Sequence, residues 1–322
     1  MPTPCPHSSQ SQHRLFSARD YVTGDPFVIE RCRDCGIAFT RPQPAAAQLG
    51  KYYPSEYYGG GTGRFPASIE HLQRSLYHRR ATAVETMLQR KGSILDIGCG
   101  PGFLLREFRD RGWQVQGTEF SLESAAHARD TLQLPISVGD VSDLKFQDSS
   151  FDAVVMWHVL EHMIDPQGTV AQVARLLRPG GVLLCAVPNF GSAEARCARD
   201  KWFHLDVPRH LNHFTVPALR ALLATCGFTV ERPSYFSLEY DSFSFTQSVL
   251  NRLGLRHNLL YNVLRGNRAK VLGRTPVPAW QKLASLLLAA PLGLLSVPLT
   301  TLAALFRTGA TVTVYARKHS GT

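Results

Sequence analysis

Residues 93–105, Ser-Ile-Leu-Asp-Ile-Gly-Cys-Gly-Pro-Gly-Phe-Leu-Leu, constrain the fold of this chain more than any other stretch. An apolar pentad, a turn with glycine at 98, 100 and 102, and the start of an amphipathic pattern spell strand, tight turn, helix. Glycine lets the backbone turn sharply and lets a ligand come close to it, and Asp96 stands where the strand closes. The alternation continues downstream. Strand candidates at 93–97, 113–118, 136–138, 152–157, 181–187 and 228–232 are interleaved with helical patterns at 102–110, 121–130, 167–178 and 216–226. Alternation with short turns predicts an α/β chain built on a parallel doubly wound sheet. Upstream, Ile69, Leu72, Leu76, Ala83 and Met87 recur at helical spacing and predict one amphipathic helix over 68–90.

The two ends of the chain are of different character. In residues 1–45, Cys32-Arg33-Asp34-Cys35-Gly36 has the form of a zinc knuckle, because the glycine permits a turn that brings both thiolates to one tetrahedral ion. Its upstream partner, Cys5-Pro6-His7-Ser8, is incomplete: serine stands where a second cysteine is expected. The segment is either a zinc ribbon using Cys5, Cys32, Cys35 and His7 (or His13), or a degenerate ribbon that keeps only the fold. Residues 46–67 read as a Pro/Gly linker carrying Tyr52, Tyr53, Tyr57 and Tyr58, which either cover a cleft or anchor a loop. The seven cysteines show no disulfide spacing and Met1–Gln12 has no apolar core of a signal peptide, so a reducing, cytoplasmic setting is expected.

The net charge of +10 is concentrated at the other end. Residues 242–322 hold ten Lys/Arg and no acid, whereas residues 1–241 hold 25 of each sign. Within the basic segment, Leu283–Phe306 is an uncharged run broken by Pro291, Gly293 and Pro298, followed by a strand pattern at Ala310–Ala316. If that strand returns to the main sheet, a hairpin of about 12 residues per arm reaches about 18 Å, too little to cross a hydrocarbon core of about 30 Å twice. Residues 241–308 are therefore expected to form a basic, apolar insert. It lies either on an anionic membrane surface, peripheral to the inner face, or in a dimer interface. Nucleic acid is not an expected partner, because few aromatics separate the charges.

The chemistry-bearing motifs follow in order. Asp96 to Gly102 reads Asp-x-Gly-x-Gly-x-Gly, which differs from the dinucleotide fingerprint in the position of its third glycine. Glu119, 17 residues beyond Gly102, ends the second strand, where a carboxylate accepts from ribose hydroxyls. Asp140 follows the third strand. Then come Trp157-His158-Val159-Leu160-Glu161-His162, Asp165-Pro166 and Leu176-Leu177-Arg178-Pro179-Gly180-Gly181. His158-x2-Glu161-His162 matches an inverted zinc-protease pattern, but it leaves a strand instead of lying on a free helix. After the fifth strand, Trp202–Phe214 gathers His204, Arg209, His210 and His213, with Arg209 a candidate for a substrate phosphate or carboxylate.

This series resembles the class I S-adenosylmethionine-dependent methyltransferases, and within them the branch that includes the ubiquinone-biosynthesis O-methyltransferases. The resemblance covers residues 93–232 and Ala310–Lys318. It implies a Rossmann-like seven-stranded sheet with the last strand antiparallel, over 68–240 plus 309–319. It also implies S-adenosylmethionine as cofactor, held by Asp96, Gly98, Cys99, Gly100, Gly102, Glu119, Phe120, Asp140, Val141 and Trp157. In related quinone O-methyltransferases a carboxylate-rich version of the Trp157–His162 segment holds a divalent cation; here His158 replaces one carboxylate. Glu161 and His162 could equally orient the following helix.

The sulfonium methyl is already activated, so the protein mainly aligns the nucleophile and excludes water. A general base is needed only for a hydroxyl or an acidic carbon, and His210, then His158 and His162, are the candidates. The expected activity is methyl transfer to an O or C atom of a small-molecule, glycan or lipid-linked acceptor at a membrane surface. Two alternatives stand beside it: a soluble nucleotide-sugar methyltransferase that dimerises through the insert, and a non-catalytic cofactor-binding membrane scaffold.

Overall fold

A computed structural model describes residues 11–45, 48, 50–53, 67–265 and 276–320. Three strands open the chain, β1 (Gln12–Arg19), β2 (Pro26–Cys32) and β3 (Ala38–Arg41), followed by the long helix α1 (Ala67–Leu88). The alternating part then runs β4 (Ser93–Ile97), α2 (Phe103–Asp110), β5 (Gln114–Glu119), α3 (Leu122–Ala126), β6 (Ile136–Val138), β7 (Phe151–Trp157), α4 (Pro166–Leu176) and β8 (Leu177–Pro188). After it come α5 (Ala193–Ala198), the two-residue strand β9 (Asn212–His213), α6 (Val216–Thr225) and β10 (Phe228–Ser234). Three helices, α7 (Asp241–Arg252), α8 (Leu259–Leu264) and α9 (Ala279–Leu305), precede the last strand, β11 (Thr311–Lys318).

The central sheet has seven strands in the order β10-β11-β8-β7-β4-β5-β6. Strands β4 to β8 pair in parallel, and β11 alone runs against its neighbours, seated between β8 and β10. Helices cover both faces, so the central strands are buried on both sides; Val154, Val155 and Met156 of β7 have no exposed surface. The strand order reverses between β4 and β7, which opens a crevice outside their carboxyl ends. The Gly98–Gly102 turn leaves β4 into that crevice and the Trp157–His162 segment leaves β7 into it.

Two features depart from the expected organisation. The N-terminal strands do not form a separate ribbon: β3 pairs with β9, making a four-stranded sheet β1-β2-β3-β9 whose last strand belongs to the loop after β8. Thr40 fastens the join. Its N–H donates to the Leu211 carbonyl (3.0 Å) and its Oγ1 to the His210 carbonyl (2.7 Å).

The apolar run is not a hairpin. It is one helix, α9, of 27 residues, about 40 Å long at 1.5 Å per residue. A narrow stripe along it, including Ser285, Ala289, Leu292, Ser296 and Thr300, is buried or half-buried, and Ala289 and Leu292 pack on Leu250, Leu255 and Leu260. That spacing of three or four residues keeps one face on the protein along the whole helix. Pro291 and Pro298, which the sequence suggested as breaks, both fall on the exposed side.

Candidate active site

The glycine turn after β4 is shaped by packing at one end and open at the other. At Gly98 (φ +67°) a Cβ would lie 2.6 Å from Val159 Cγ2, and at Gly102 (φ +85°) one would lie 2.7 Å from Leu134 Cδ1. At Gly100 a Cβ would meet nothing within 4 Å, so this is the backbone a ligand can approach. Glu119, at the end of β5, is locked to the turn: one carboxylate oxygen accepts from Gly100 N–H and the other from Ser121 N–H, both at 2.7 Å. Asp96 is buried below, and burial, then the Glu119 charge, push its pKa up to about 8. The half-buried Cys99 thiol is pushed up in the same way, chiefly by burial.

The remaining predicted cofactor residues frame the same crevice from β5, β6 and β7. Phe120 is 77% exposed beside Glu119. Asp140 accepts from the N–H and hydroxyl of Ser142, both at 2.8 Å. Val141 has its side chain in the main core, 1% exposed, which leaves only its backbone to face a ligand. Trp157 carries the Arg80 guanidinium 3.6 Å above its ring, and Arg80 is itself paired with Glu239 at 2.6 Å. Arg80 and Glu239 sit in helical and loop contexts with no local motif, and sequence reasoning missed them.

Beyond Trp157 lies a cluster of buried imidazoles. His158 has φ +55°, and its Nδ1 donates to Glu161 Oε1 at 3.1 Å. Its Nε2 is buried with no hydrogen-bond partner among the described residues, as is Nε2 of His204, whose ring stacks on His158 at 6.3 Å and 15°. The Tyr240 ring lies 4.2 Å from that of His158. Burial lowers the His158 pKa to about 4 and that of His204 to about 3, so both rings are neutral near pH 7. His204 was legible only as one of several histidines.

His210, the expected first choice of base, is buried in the loop after β8. Its Nδ1 donates to the His204 carbonyl (2.7 Å) and its ring meets His162 edge-on at 4.7 Å. His162 Nδ1 donates to the Arg209 carbonyl at 2.9 Å. With both Nδ1 atoms committed to backbone, the Nε2 atoms are the ones left to bind. Glu161 Oε2 has no hydrogen-bond partner among the described residues. One ligand atom each from Glu161, His162 and His210 lies within 4.8 Å of the others, a set from which a divalent cation could be held.

Arg209 is not available to a substrate. Its side chain is fully buried, donating to Asp20 Oδ1 and Asp206 Oδ1 (2.8 Å each) and to the Tyr52 carbonyl (2.9 Å). It therefore holds the N-terminal segment to the loop after β8. Tyr53 covers the same place, its hydroxyl 3.2 Å from His162 Nδ1; Tyr57 and Tyr58 lie outside the described residues. In the knuckle, Cys32 is buried and Cys35 half-buried, and Gly36 (φ +72°) donates its N–H to the Cys32 carbonyl at 3.0 Å. That turn suits two thiolates facing one ion. Cys5 and His7 lie outside the described residues.

A doubly wound sheet with its last strand antiparallel, a glycine turn and an acidic residue closing the second strand define the class I S-adenosylmethionine-dependent methyltransferases. Comparison with known proteins agrees. Residues 68–232 match the methyltransferase domain family, and the chain belongs to that family. It is similar to a probable S-adenosylmethionine-dependent methyltransferase of Mycolicibacterium smegmatis, at 33% identity over 139 residues, 43% of this chain and 52% of that protein. A ubiquinone biosynthesis O-methyltransferase of Xanthomonas oryzae pv. oryzae is 37% identical over 102 residues, 30% of this chain and 43% of that protein. A malonyl-[acyl-carrier protein] O-methyltransferase of Enterobacter lignolyticus is 30% identical over 155 residues, 47% and 61% of the two chains. The chain thus spans about half the length of the curated relatives it matches. Among solved structures, one provisionally assigned as a sarcosine dimethylglycine methyltransferase of Galdieria sulphuraria shares the fold. Its TM-score is 0.50 at 15% identity, covering 85% of this chain and 98% of that one.

Proposed function

We propose that this protein transfers the methyl group of S-adenosylmethionine to a hydroxyl or acidic carbon of a lipid-linked or otherwise amphipathic acceptor, working at an anionic membrane surface. The cofactor's methionine end would lie over Gly100, its ribose on Glu119 and its adenine between Phe120 and Asp140. The ligand's positive groups would favour the ionised form of Asp96. His158, oriented through Nδ1 by Glu161, presents a neutral Nε2 to the acceptor and takes its proton as the methyl group is transferred, with His204 and Tyr240 shaping the rest of the pocket. The closed pocket keeps water from competing with the acceptor. In the N-terminal sheet, Cys32 and Cys35 would hold a structural zinc with ligands from the Cys5–His7 segment.

The observation that carries the membrane setting is the placement of α9. Only 11% of its most apolar window is buried, and large side chains such as Leu287, Leu294, Leu305 and Phe306 face outward. A contiguous apolar surface of this kind marks an interaction site. One face of α9 rests on α7 and α8 along its length, which suits a helix lying in the plane of a membrane and not across it. Its C-terminal end leads into β11, whose first residue pairs with Pro188 at the carboxyl end of β8. The apolar surface is thereby fastened to the edge of the sheet that carries the site. Arg252, Lys282 and Arg307 flank it, and the segment after Asp241 has no acid to repel anionic headgroups.

The test is sedimentation with phosphatidylglycerol-containing vesicles, followed by assay of methyl incorporation into the lipid fraction. Wild-type protein is expected to sediment with anionic but not neutral vesicles, and a Leu294→Glu, Leu305→Glu variant to stay in the supernatant while binding S-adenosylmethionine normally. Equal sedimentation of wild type and variant would overturn the membrane reading.

A further inference from the structure

Between α5, α7 and the C-terminal half of α9 lies a cleft of about 630 Å³. That size falls within the range of small-molecule sites. Its walls are apolar: Phe245, Val249 and Leu253 from α7 and the loop after it, Leu299 and Ala303 from α9, and Ala198 from α5. The hydroxyls that line it are committed elsewhere. Thr300 Oγ1 donates to the Ser296 carbonyl (2.8 Å), Thr308 Oγ1 to the Ala303 carbonyl (3.1 Å) and Ser248 Oγ to Glu194 Oε1 (2.8 Å). The one carboxylate at the cleft, Glu194, is held by Ser244 and Ser248 on α7. The one cation at the cleft, Arg252, is exposed and has no ion pair among the described residues.

Three relations say what fills such a space. The cleft is continuous with the exposed apolar surface of α9, because Leu299 belongs to both. It sits at the same edge of the sheet as the acceptor pocket: Ala193 N–H donates to the Thr308 carbonyl and Asn189 N–H to the Ala310 carbonyl. Helix α7 joins the two places, with Tyr240 of the acceptor pocket as its N-cap and Arg252 as its last residue. We infer that this cleft takes a single hydrocarbon chain of an anionic lipid acceptor, drawn from the surface on which α9 lies, with Arg252 meeting its acidic group. The inference rests on the lipid-acceptor reading above and names the part of the lipid that is recognised and where.

Cys197 is exposed and lines the cleft, which gives a direct readout. Full-length protein is labelled with a maleimide, and modification of each cysteine is followed by mass spectrometry with dodecyl phosphate, kept below its micelle concentration, or with inorganic phosphate. Dodecyl phosphate at ten times its Kd is expected to slow labelling of Cys197 about tenfold, and inorganic phosphate to leave it unchanged. Ala303→Trp and Val249→Phe, which fill the cleft from opposite walls, are expected to abolish the protection; retained S-adenosylmethionine binding shows that they are folded. Absence of protection in the wild type, equal protection by inorganic phosphate, or undiminished protection in both folded variants would overturn the inference. Vesicle sedimentation run in parallel separates the two readings. Protection of Cys197 without sedimentation refutes the membrane setting and keeps the cleft, and sedimentation without protection does the reverse.

Discussion

The proposed mechanism rests its proton transfer on one side chain, His158. A non-glycine residue at φ +55° is uncommon, and here it accompanies a ring whose Nδ1 meets Glu161 and whose Nε2 is buried with no hydrogen-bond partner among the described residues. His158→Asn keeps a residue that tolerates this backbone and removes the base. It is expected to lower kcat by roughly 10²- to 10⁴-fold with the Kd for S-adenosylmethionine unchanged, measured by single-turnover methyl transfer and calorimetry. An unaltered kcat would place the base elsewhere. Glu194 gives a residue-scale test that needs no substrate. Burial pushes its pKa from 4.5 up to about 7. The folded chain therefore keeps this proton at pH values where the unfolded chain has lost it. The stability contributed is full below pH 4.5 and is lost as pH rises through about 7. Glu194→Gln should flatten that decline, read as the difference in urea midpoint between about pH 5 and about pH 8; an unchanged difference would show that the carboxyl does not titrate there.

At the scale of elements, the join between β3 and β9 ties the N-terminal sheet to the loop after β8. The buried Arg209–Asp20 pair beside it has no solvent to fall back on, and removing Asp20 leaves the guanidinium with Asp206 as its remaining carboxylate partner. Asp20→Ala is expected to cost about 1.5–3 kcal/mol in chemical denaturation, and a cost below about 1 kcal/mol, the value of a surface pair, would contradict the packing. The same elements show what the sequence could and could not convey. The strands, the glycine turn and Glu119 were legible because each is specified within a few residues of itself. Strand β9 was not, because two residues carry no periodicity and its partner lies in a distant segment. Arg209 looked like a substrate ligand for the same reason, since nothing near it in sequence points to Asp20. The length and apolarity of α9 were plain. Its prolines were misread as turns, although on an outward face a missing N–H and a ring meet no neighbour and the helix can bend around the protein.

For the whole molecule, the two halves of the site depend on different parts of the chain. On the proposed reading the cofactor half is built from β4 to β7, and the acceptor half needs the N-terminal sheet as well. If zinc sits at Cys32 and Cys35, a Cys32→Ser, Cys35→Ser variant is expected to lose about one equivalent of zinc by elemental analysis. It should also exchange amide protons faster across residues 209–213, while binding S-adenosylmethionine like the wild type. Zinc-free wild-type protein with full protection of those amides would show that the knuckle holds without metal.

That division also orders the events of synthesis. Gly100 and Glu119 meet across 19 residues of chain, whereas Thr40 waits for His210 across 170. A chain leaving the ribosome can complete the turn that grips the cofactor while β3 still lacks its neighbour. The join at Thr40 therefore waits for residues made long after the glycine turn and Glu119 are in place.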